Sequence, residues 1–251
     1  MKFALVILNW NGHKLLETFL PSVVKYADGH KIYVIDNAST DSSISFLETH
    51  FPDVNCIKLK QNLGYADGYN EGLKQIDSDI YCLLNSDIEV TENWLKPISD
   101  IFKNNENTTI VQPKILDYHH KNRFEYAGAG GGTIDQLGYP FCRGRIFDSL
   151  EEDRGQYNDQ KDVFWASGAC LFIRANAFKE LEGFDSKFFA HMEEIDLCWR
   201  AQNKGMTVTY TGMSTVYHIG AASLKSSNPK KTYLNFRNSL YTLVKNTNNP
   251  L

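Results

Sequence analysis

The sequence predicts a single α/β domain with a mostly parallel central sheet flanked by helices, and three observations carry that prediction. Apolar strand-like runs alternate with helical runs over the first hundred residues. The stretches between them are short, as parallel strands joined by crossover helices require. The first run, FALVILN (3–9), is apolar throughout, the mark of a strand covered on both faces.

The elements follow in order. HKLLETFLPSVVKYA (13–27) has helical spacing with Pro21 as a kink or restart, and KIYVID (31–36) is a second strand. STDSSISFLETHF (39–51) opens with Ser39, Thr40 and Asp41 as capping residues for a helix. NCIKLK (55–60) alternates as a third strand. YADGYNEGLKQI (65–76) is a weaker helix whose glycines at 64, 68 and 72 suit close packing. DIYCLLN (79–85) is a fourth strand and TENWLKPISDIFKNN (91–105) another helix. From about Thr108 to Phe164 the pattern loosens, and a mobile, loop-like middle is expected there, with GAGGGT (128–133) and the charged EEDRGQYNDQKD (151–162). Order returns at FWASGACLFIRANAFKEL (164–181) and in the helix EEIDLCWRAQNKG (193–205), closed by Gly205. MTVTYT (206–211) and STVYHIG (214–220) read as two strands, and KKTYLNFRNSLYTLVKN (230–246) as a final amphipathic helix.

Composition narrows the function. The 251 residues are 42% hydrophobic and 22% charged, enough for a full core, and the net charge of −4 provides no field for nucleic acid. An anionic ligand would need a local device: a metal ion, a helix N-terminus or a few placed cations. The five cysteines, at 56, 82, 142, 170 and 198, show no paired spacing, and Cys56, Cys82 and Cys170 lie in apolar runs that suit reduced buried thiols. A cytoplasmic protein is expected. The N-terminal apolar stretch is too short for a signal peptide, and no run reaches the ~18 apolar residues of a membrane span.

Ligands of a parallel sheet bind at the carboxyl ends of its strands. Four predicted strands end in polar residues: Asn9 and Asn11, Asp36 and Asn37, Gln61 and Asn62, and Asn85–Ser86–Asp87. Any one cluster is ordinary turn chemistry; four at one sheet edge point to a binding crevice. NWNGHK after the first strand is not the G-x-G-x-x-G that a nicotinamide enzyme needs, and the glycines at 64, 68 and 72 match neither that fingerprint nor a P-loop. In HMEEIDLCWR, Asp196 and Arg200 stand four apart as a helix-surface pair, whereas Glu193 and Glu194, following the aromatic FDSKFFAHM, fit an acceptor pocket better than a cap alone.

Six stretches taken in register, VILNWNG, VIDNASTDSS, QNLGYADGYNEGL, LLNSDIEV, GFDSKFFAHMEEIDLCWRAQNKG and VYHIGAAS, resemble the landmarks of family-two glycosyltransferases, and most of all the rhamnosyltransferase-like branch that builds bacterial surface polysaccharides. The likeness covers residues 3 to 245, with little to match over roughly 113–163. It implies the GT-A nucleotide-diphospho-sugar transferase fold, with residues 1–112 as a nucleotide-binding half and 113–251 as an acceptor-binding half plus C-terminal helix.

The same resemblance implies roles. Asp87 matches the last acid of the DXD-type motif that holds Mg²⁺ or Mn²⁺ on the donor diphosphate, with Asn85 in the place of the first acid and Ser86 between them. Glu89 then reads as a surface residue. Glu194 stands where the general base is found, although the family usually has Asp there, and Glu193 is its rival. His218 completes the metal shell, and Asp36 contacts the base. Asn62, Gly64 and Asn70 shape the nucleotide wall. Trp165, Ser167 and Gly168 line the sugar pocket, with packing as the alternative for Trp165. His191, His119 and His120 receive no role.

The implied partners are a UDP-, dTDP- or GDP-sugar and a saccharide or lipid-linked acceptor. The last helix, with Leu234, Leu240, Leu243 and Val244 among Lys230, Lys231, Arg237 and Lys245, either packs on the domain or meets the inner face of a membrane; packing is the expectation. The competing class is a sugar-nucleotide or glycan-binding module that has lost catalysis, which Asn85 and Glu194 keep in play. A nucleotidyltransferase would be expected to carry a Gly- and Arg-rich loop where LNWNGHK stands.

Overall fold

A computed structural model of the chain describes residues 1–220 and 229–247. Strands and helices alternate as expected through β1 (Phe3–Asn9), α1 (His13–Lys25), β2 (Lys31–Asp36), α2 (Ser43–His50), β3 (Asn55–Lys58), α3 (Gly64–Leu73) and β4 (Ile80–Asn85). A short strand, β5 (Ile88–Val90), precedes α4 (Leu95–Asn104) and β6 (Thr108–Asp117). Two small ribbons follow, β7 (Gly132–Ile134) with β8 (Pro140–Cys142) and β9 (Arg145–Ile146) with β10 (Ser149–Leu150). The chain closes with β11 (Gln160–Asp162), β12 (Cys170–Arg174), α5 (Ala175–Glu180), a 3₁₀ turn over Ser186–Phe188, α6 (Glu193–Asn203), β13 (Thr207–His218) and α7 (Pro229–Asn246).

The main sheet has the order β11-β13-β6-β12-β4-β1-β2-β3, with β5 paired to β13. β1 pairs in parallel with β2 and β4, β2 with β3, and β6 with β13, while β12 lies antiparallel between β4 and β6. β1, β2, β3, β4, β6 and β13 therefore point one way, and β5, β11 and β12 the other. Asn9, Asp36, Asn85, Asp117 and His218 all end strands at one edge, where Asn9 sits beside Asp36 and His218 beside Asp117 and Ile88. Both faces of the central strands are buried: Leu5 and Ile7 pack on one side with Leu16 and Trp94, and Val6 and Leu83 on the other with Tyr69 and Leu171.

The glycines of α3 let it lie close on the sheet. A Cβ at Gly72 would stand 2.2 Å from Ile35 Cδ1, and one at Gly68 2.9 Å from Leu8 Cδ1. Pro21 sits inside a continuous α1. All five cysteines are free; Cys56, expected buried, is half-buried, and Cys142 and Cys198 join Cys82 and Cys170 inside.

The loose middle is where the fold departs most from expectation. β6 is a ten-residue central strand buried over all but its last residue. Its apolar pattern is broken by Pro113 and by two buried polar side chains. The Gln112 amide donates to Gly128 O and accepts from Ser167 N, while Lys114 Nζ donates to Asp153 Oδ2 at 2.7 Å and to Asn158. The segment expected to be mobile is thus tied to the sheet from beneath, and the division at 112/113 falls inside a strand. The two strands expected over 206–220 are one strand, β13, with an irregularity between Thr211 and Thr215. Residues Ala221–Ser223, the tail of VYHIGAAS, lie outside the described residues.

Helix α7 packs on the domain through Leu234, Asn238, Thr242 and Asn246, all buried, as expected. Asn246 Nδ2 and Lys245 Nζ both donate to the fully buried Asp196, at 2.9 and 3.0 Å, beside Arg200 Nε at 2.8 Å. Among the described residues no helix is long and apolar enough to cross a membrane.

Candidate active site at the carboxyl edge of the sheet

The ends of β1 and β2 form one hydrogen-bonded unit. Asp36 is fully buried; Oδ1 accepts from Ser39 N at 2.9 Å and Oδ2 from Asn9 Nδ2 at 3.1 Å. Ser39 Oγ accepts from Asn9 Nδ2 and from Asn11 N. Asn11, exposed and left-handed at φ 51°, accepts Thr40 N on Oδ1 at 2.7 Å. Asn37 reaches the next strand end: its Nδ2 donates to Asn62 Oδ1 and Gly64 O, and its Oδ1 accepts from Leu63 N. Three expected nucleotide-side groups, Asn37, Asn62 and Gly64, are therefore in mutual contact. Asn9 Oδ1 is buried with no hydrogen-bond partner, 2.4 Å from where a Cβ at Gly12 would lie, so that glycine is needed for Asn9 to sit as it does.

The end of β4 turns sharply into β5, and the pairing of β5 with β13 brings Asp87 to His218. Asp87 Oδ1 stands 3.2 Å from His218 Nε2, and Asn85 Nδ2 is 3.4 Å from the same nitrogen. On the far side of the ring, Nδ1 faces Glu125 Oε1 at 3.5 Å, an ion-pair distance rather than a hydrogen bond. All three titratable groups are buried. Burial by itself lowers the His218 pKa, but the two carboxylates outweigh it and raise the value to about 10.

This donor set suits a divalent cation. Ligands of an octahedral Mg²⁺ lie about 3 Å apart at bond lengths near 2.1 Å, close to the Asp87–His218 separation. Such ions take one or two protein groups and complete their shell with water and substrate phosphate. Among the described residues no cluster of three His, Cys, Asp or Glu is placed to hold a metal. Were His218 to ligate a cation through Nε2, the Glu125 carboxylate would face its Nδ1 side at 3.5 Å.

The second acid centre opens α6. Glu193 is buried and Glu194 partly exposed, and each has an Oε2 that is buried without a hydrogen-bond partner. Burial raises both pKa values; the charge of Glu194 lifts Glu193 further, and backbone N–H groups, Gly168's among them, pull Glu194 partly back. A Cβ at Gly168 would lie 3.7 Å from Glu194 Cβ and 3.0 Å from Tyr65 Oη, which donates to Gly168 O. Ala169 O accepts from Asn85 N at 2.9 Å. The Ser167–Ala169 turn thus joins Asn85 to Glu194. The chain enters α6 through Phe189, His191 and Met192 at φ 64°, 71° and 73°, sparsely populated backbone that costs a non-glycine residue of order 1–3 kcal/mol each.

Several expectations are corrected here. α2 starts at Ser43, so Ser39 and Thr40 are not its caps; Asp41 takes the N–H groups of Ser43 and His13. Asn70, expected on the nucleotide wall, has its amide engaged within the fold: it donates to Phe184 O and accepts from Phe184 N, holding the turn after α5. Trp165 takes the packing alternative: it is 6% exposed, lies over Gly132 and donates from Nε1 to Thr133 O. Asp36 has both oxygens engaged from within, so it shapes the rim through Asn9 and Ser39 and does not face open space. Gln61, His119 and His120 are exposed, and Glu89 pairs with Lys121. Sequence reasoning missed Glu125, Tyr65 and Ser39 as site residues. Glu125 lies in the patternless middle and carries no local signal, whereas the strand-end position of Ser39, one turn after Asp36, could have been read.

A family model described as "Glycosyl transferase family 2" matches residues 4–182. The chain belongs to glycosyl transferase family 2. Among curated relatives it is 23% identical over 245 residues to the low-salt glycan biosynthesis hexosyltransferase Agl10 of Haloferax volcanii, covering 94% of this chain and 73% of that protein. It is 25% identical over 242 residues to the N-acetylglucosaminyl-diphospho-decaprenol L-rhamnosyltransferase of Mycobacterium tuberculosis, covering 87% and 78%. Among solved structures it superposes on GalNAc-T7 with UDP, GalNAc and Mn²⁺ at a TM-score of 0.72, with 16% identity, over 97% of this chain and 48% of that one. It superposes on the mannosyltransferase PcManGT of Pyrobaculum calidifontis, in complex with GDP-Man and Mn²⁺, at 0.66, with 13% identity, over 99% and 66%. The chain thus spans about half of the GalNAc-T7 chain. The fold is GT-A, and family membership makes the protein a glycosyltransferase.

Proposed function

We propose that the protein is an inverting, divalent-metal-dependent transferase that moves a hexosyl or rhamnosyl group from a nucleoside-diphosphate sugar to a saccharide or lipid-linked acceptor in surface polysaccharide synthesis. The observation that carries this reading is the buried Asp87–His218 pair at 3.2 Å on the sheet edge, beside Asn85, which the Ser167–Ala169 turn joins to Glu194, one of two acids with raised pKa. The named relatives act in glycan assembly, and the named structures hold UDP or GDP-mannose with Mn²⁺, which supports the same donor class here.

Asp87, His218 and Asn85 would hold the cation, and Ser86 the adjoining diphosphate. When bound, the cation neutralises the charge that the diphosphate takes on as it leaves. The floor under the base is built by Asp36 with Asn9, Asn11 and Asn37, and its wall by Asn62 and Gly64. Glu194, the less buried acid, takes the proton from the acceptor hydroxyl as that oxygen bonds the anomeric carbon and the bond to the β-phosphate breaks. A raised pKa makes it a stronger base near neutrality. The outward stripe Tyr233, Phe236, Leu240 and Val244 on α7 is the surface we assign to peripheral membrane contact, to be tested by co-sedimentation with anionic vesicles.

The deciding experiment is a melting screen of UDP-, GDP- and dTDP-sugars with and without Mn²⁺. One donor class should raise the melting temperature only when Mn²⁺ is present. No shift with any of them, or an equal shift in excess chelator, overturns the reading.

A further inference from the structure

We infer that α7 is a working part of the active site: Asn238 clamps the segment Phe188–Met192, making it a positioning residue for Glu193 and Glu194. This rests on the function proposed above. Asn238 is fully buried, and its Nδ2 group faces three carbonyls of that segment: Phe188 O at 3.1 Å, Ala190 O at 2.9 Å and His191 O at 2.7 Å. Its Oδ1 accepts from Arg237 Nε at 2.9 Å, and Arg237 Nη2 donates to Lys187 O and Phe188 O. From the other side, Tyr65 N donates to Phe189 O at 3.0 Å, and Gly64, at φ +76°, leaves room for the Phe189 ring and carbonyl, both within 3 Å of where its Cβ would lie.

The segment is thus gripped between the donor wall and the last helix. Three non-glycine residues at positive φ persist only where surrounding structure over-determines them, and such clusters mark functional sites. α6 has no side-chain cap; it begins directly from left-handed Met192, so the direction in which Glu193 and Glu194 leave the backbone is set by this segment. A carbonyl-binding amide on α7, some fifty residues away in sequence, therefore fixes where the acids stand.

A purely structural α7 contact provides the control. Asn246 is also a buried α7 amide, but its side chain donates to Asp196 Oδ1 and Thr242 O, outside the 188–192 segment. The test compares Asn238→Asp, which keeps the shape and replaces the donor by an acceptor, with Asn246→Ala. The readouts are nucleoside diphosphate release, with water as acceptor, from the donor that the melting screen selects, and amide hydrogen exchange over 186–194. For Asn238→Asp, kcat should fall on the order of 10²-fold with the donor KM and Mn²⁺ affinity unchanged, and exchange over 186–194 should quicken. For Asn246→Ala, kcat should stay within about threefold at a temperature where the protein is folded. Should Asn238→Asp not fold, Arg237→Gln, which removes two further carbonyl contacts from a half-buried position, should show the same split at smaller size. Equal kcat losses at 238 and 246, or unchanged exchange over 186–194, overturn the inference. A wild-type protein inactive with every donor counts against the proposed function instead, and the exchange result then decides the clamp.

Discussion

The two ends of the site are held in different ways. On the donor side, Asn9, Asp36, Ser39, Asn37 and Asn62 sit at the ends of apolar parallel strands and bond neighbouring strand ends together. Asn9, Asp36 and Asn37 are buried, but Ser39 is half-buried and Asn11 and Asn62 are exposed, so the unit opens to water at its outer end. Elsewhere in the site and beneath the acceptor half, the polar network lies wholly inside the molecule. Gln112, Lys114, Glu125, Asp196, His218 and Asn238 are all buried and each is met by partners far away in the chain. A rim of short loops on a rigid sheet tolerates the loss of one bond. A centre made of buried charges and amides does not, because each lost partner strands another polar group away from water.

Mutations should separate the two sides, and the largest effect belongs to the point where they meet. Asp87→Ala should abolish transfer and leave Mn²⁺ unable to raise the melting point in the presence of donor; undiminished activity of the wild type in excess chelator would remove the metal assignment. Next comes Glu194→Gln, expected to lower turnover by about 10²–10⁴-fold while the donor-induced melting shift survives. If turnover persists, Glu193 takes the role of base.

A stability effect follows on the acceptor side. Asp196→Ala should cost about 3–5 kcal/mol by leaving Arg200 and Lys245 without their shared carboxylate, read as the midpoint shift in urea. A loss under 1 kcal/mol would show that the Asp196 ion pairs add little to the hold on α7. The metal-free protein should also lose stability with rising pH. His218 binds its proton more tightly folded than unfolded, so its contribution is complete below about 6.5, wanes above that and is gone beyond a pH of about 10. His218→Gln should flatten that slope, and an unchanged slope would mean that the carboxylates around the ring do not hold it charged. The smallest change is expected on the donor side, where Ser39→Ala should cost about 1 kcal/mol and weaken donor binding only slightly, as isothermal titration with the selected donor would show. A loss as large as that at Asp196 would erase the contrast between the two sides.

The sequence was most legible where local chemistry and tertiary role agree. FALVILN and YCLLN read as strands because both their faces are buried, and Asn9, Asp36, Asn85 and Asp87 could be placed on one edge because strand ends of a parallel sheet share an edge. β6 was hidden because Pro113, Gln112 and Lys114 interrupt its apolar run; those polar residues are buried only because Gly128, Ser167, Asp153 and Asn158 come to meet them. Asn70 and Trp165 were ambiguous for the related reason that an Asn or a Trp fits a pocket wall and a packing joint equally well until its neighbours are known.

Taken alone, the amino-acid order determined the alternating α/β plan, the polar sheet edge and the pair of acids at the start of α6, since each depends on periodicity or on adjacency along the chain. Tertiary structure alone decided that Glu125 backs His218, that Tyr65 reaches Gly168, and that Asn238 grips the segment before Glu193. Those contacts join residues tens of positions apart, and distance along a chain says nothing about which buried polar groups will find each other.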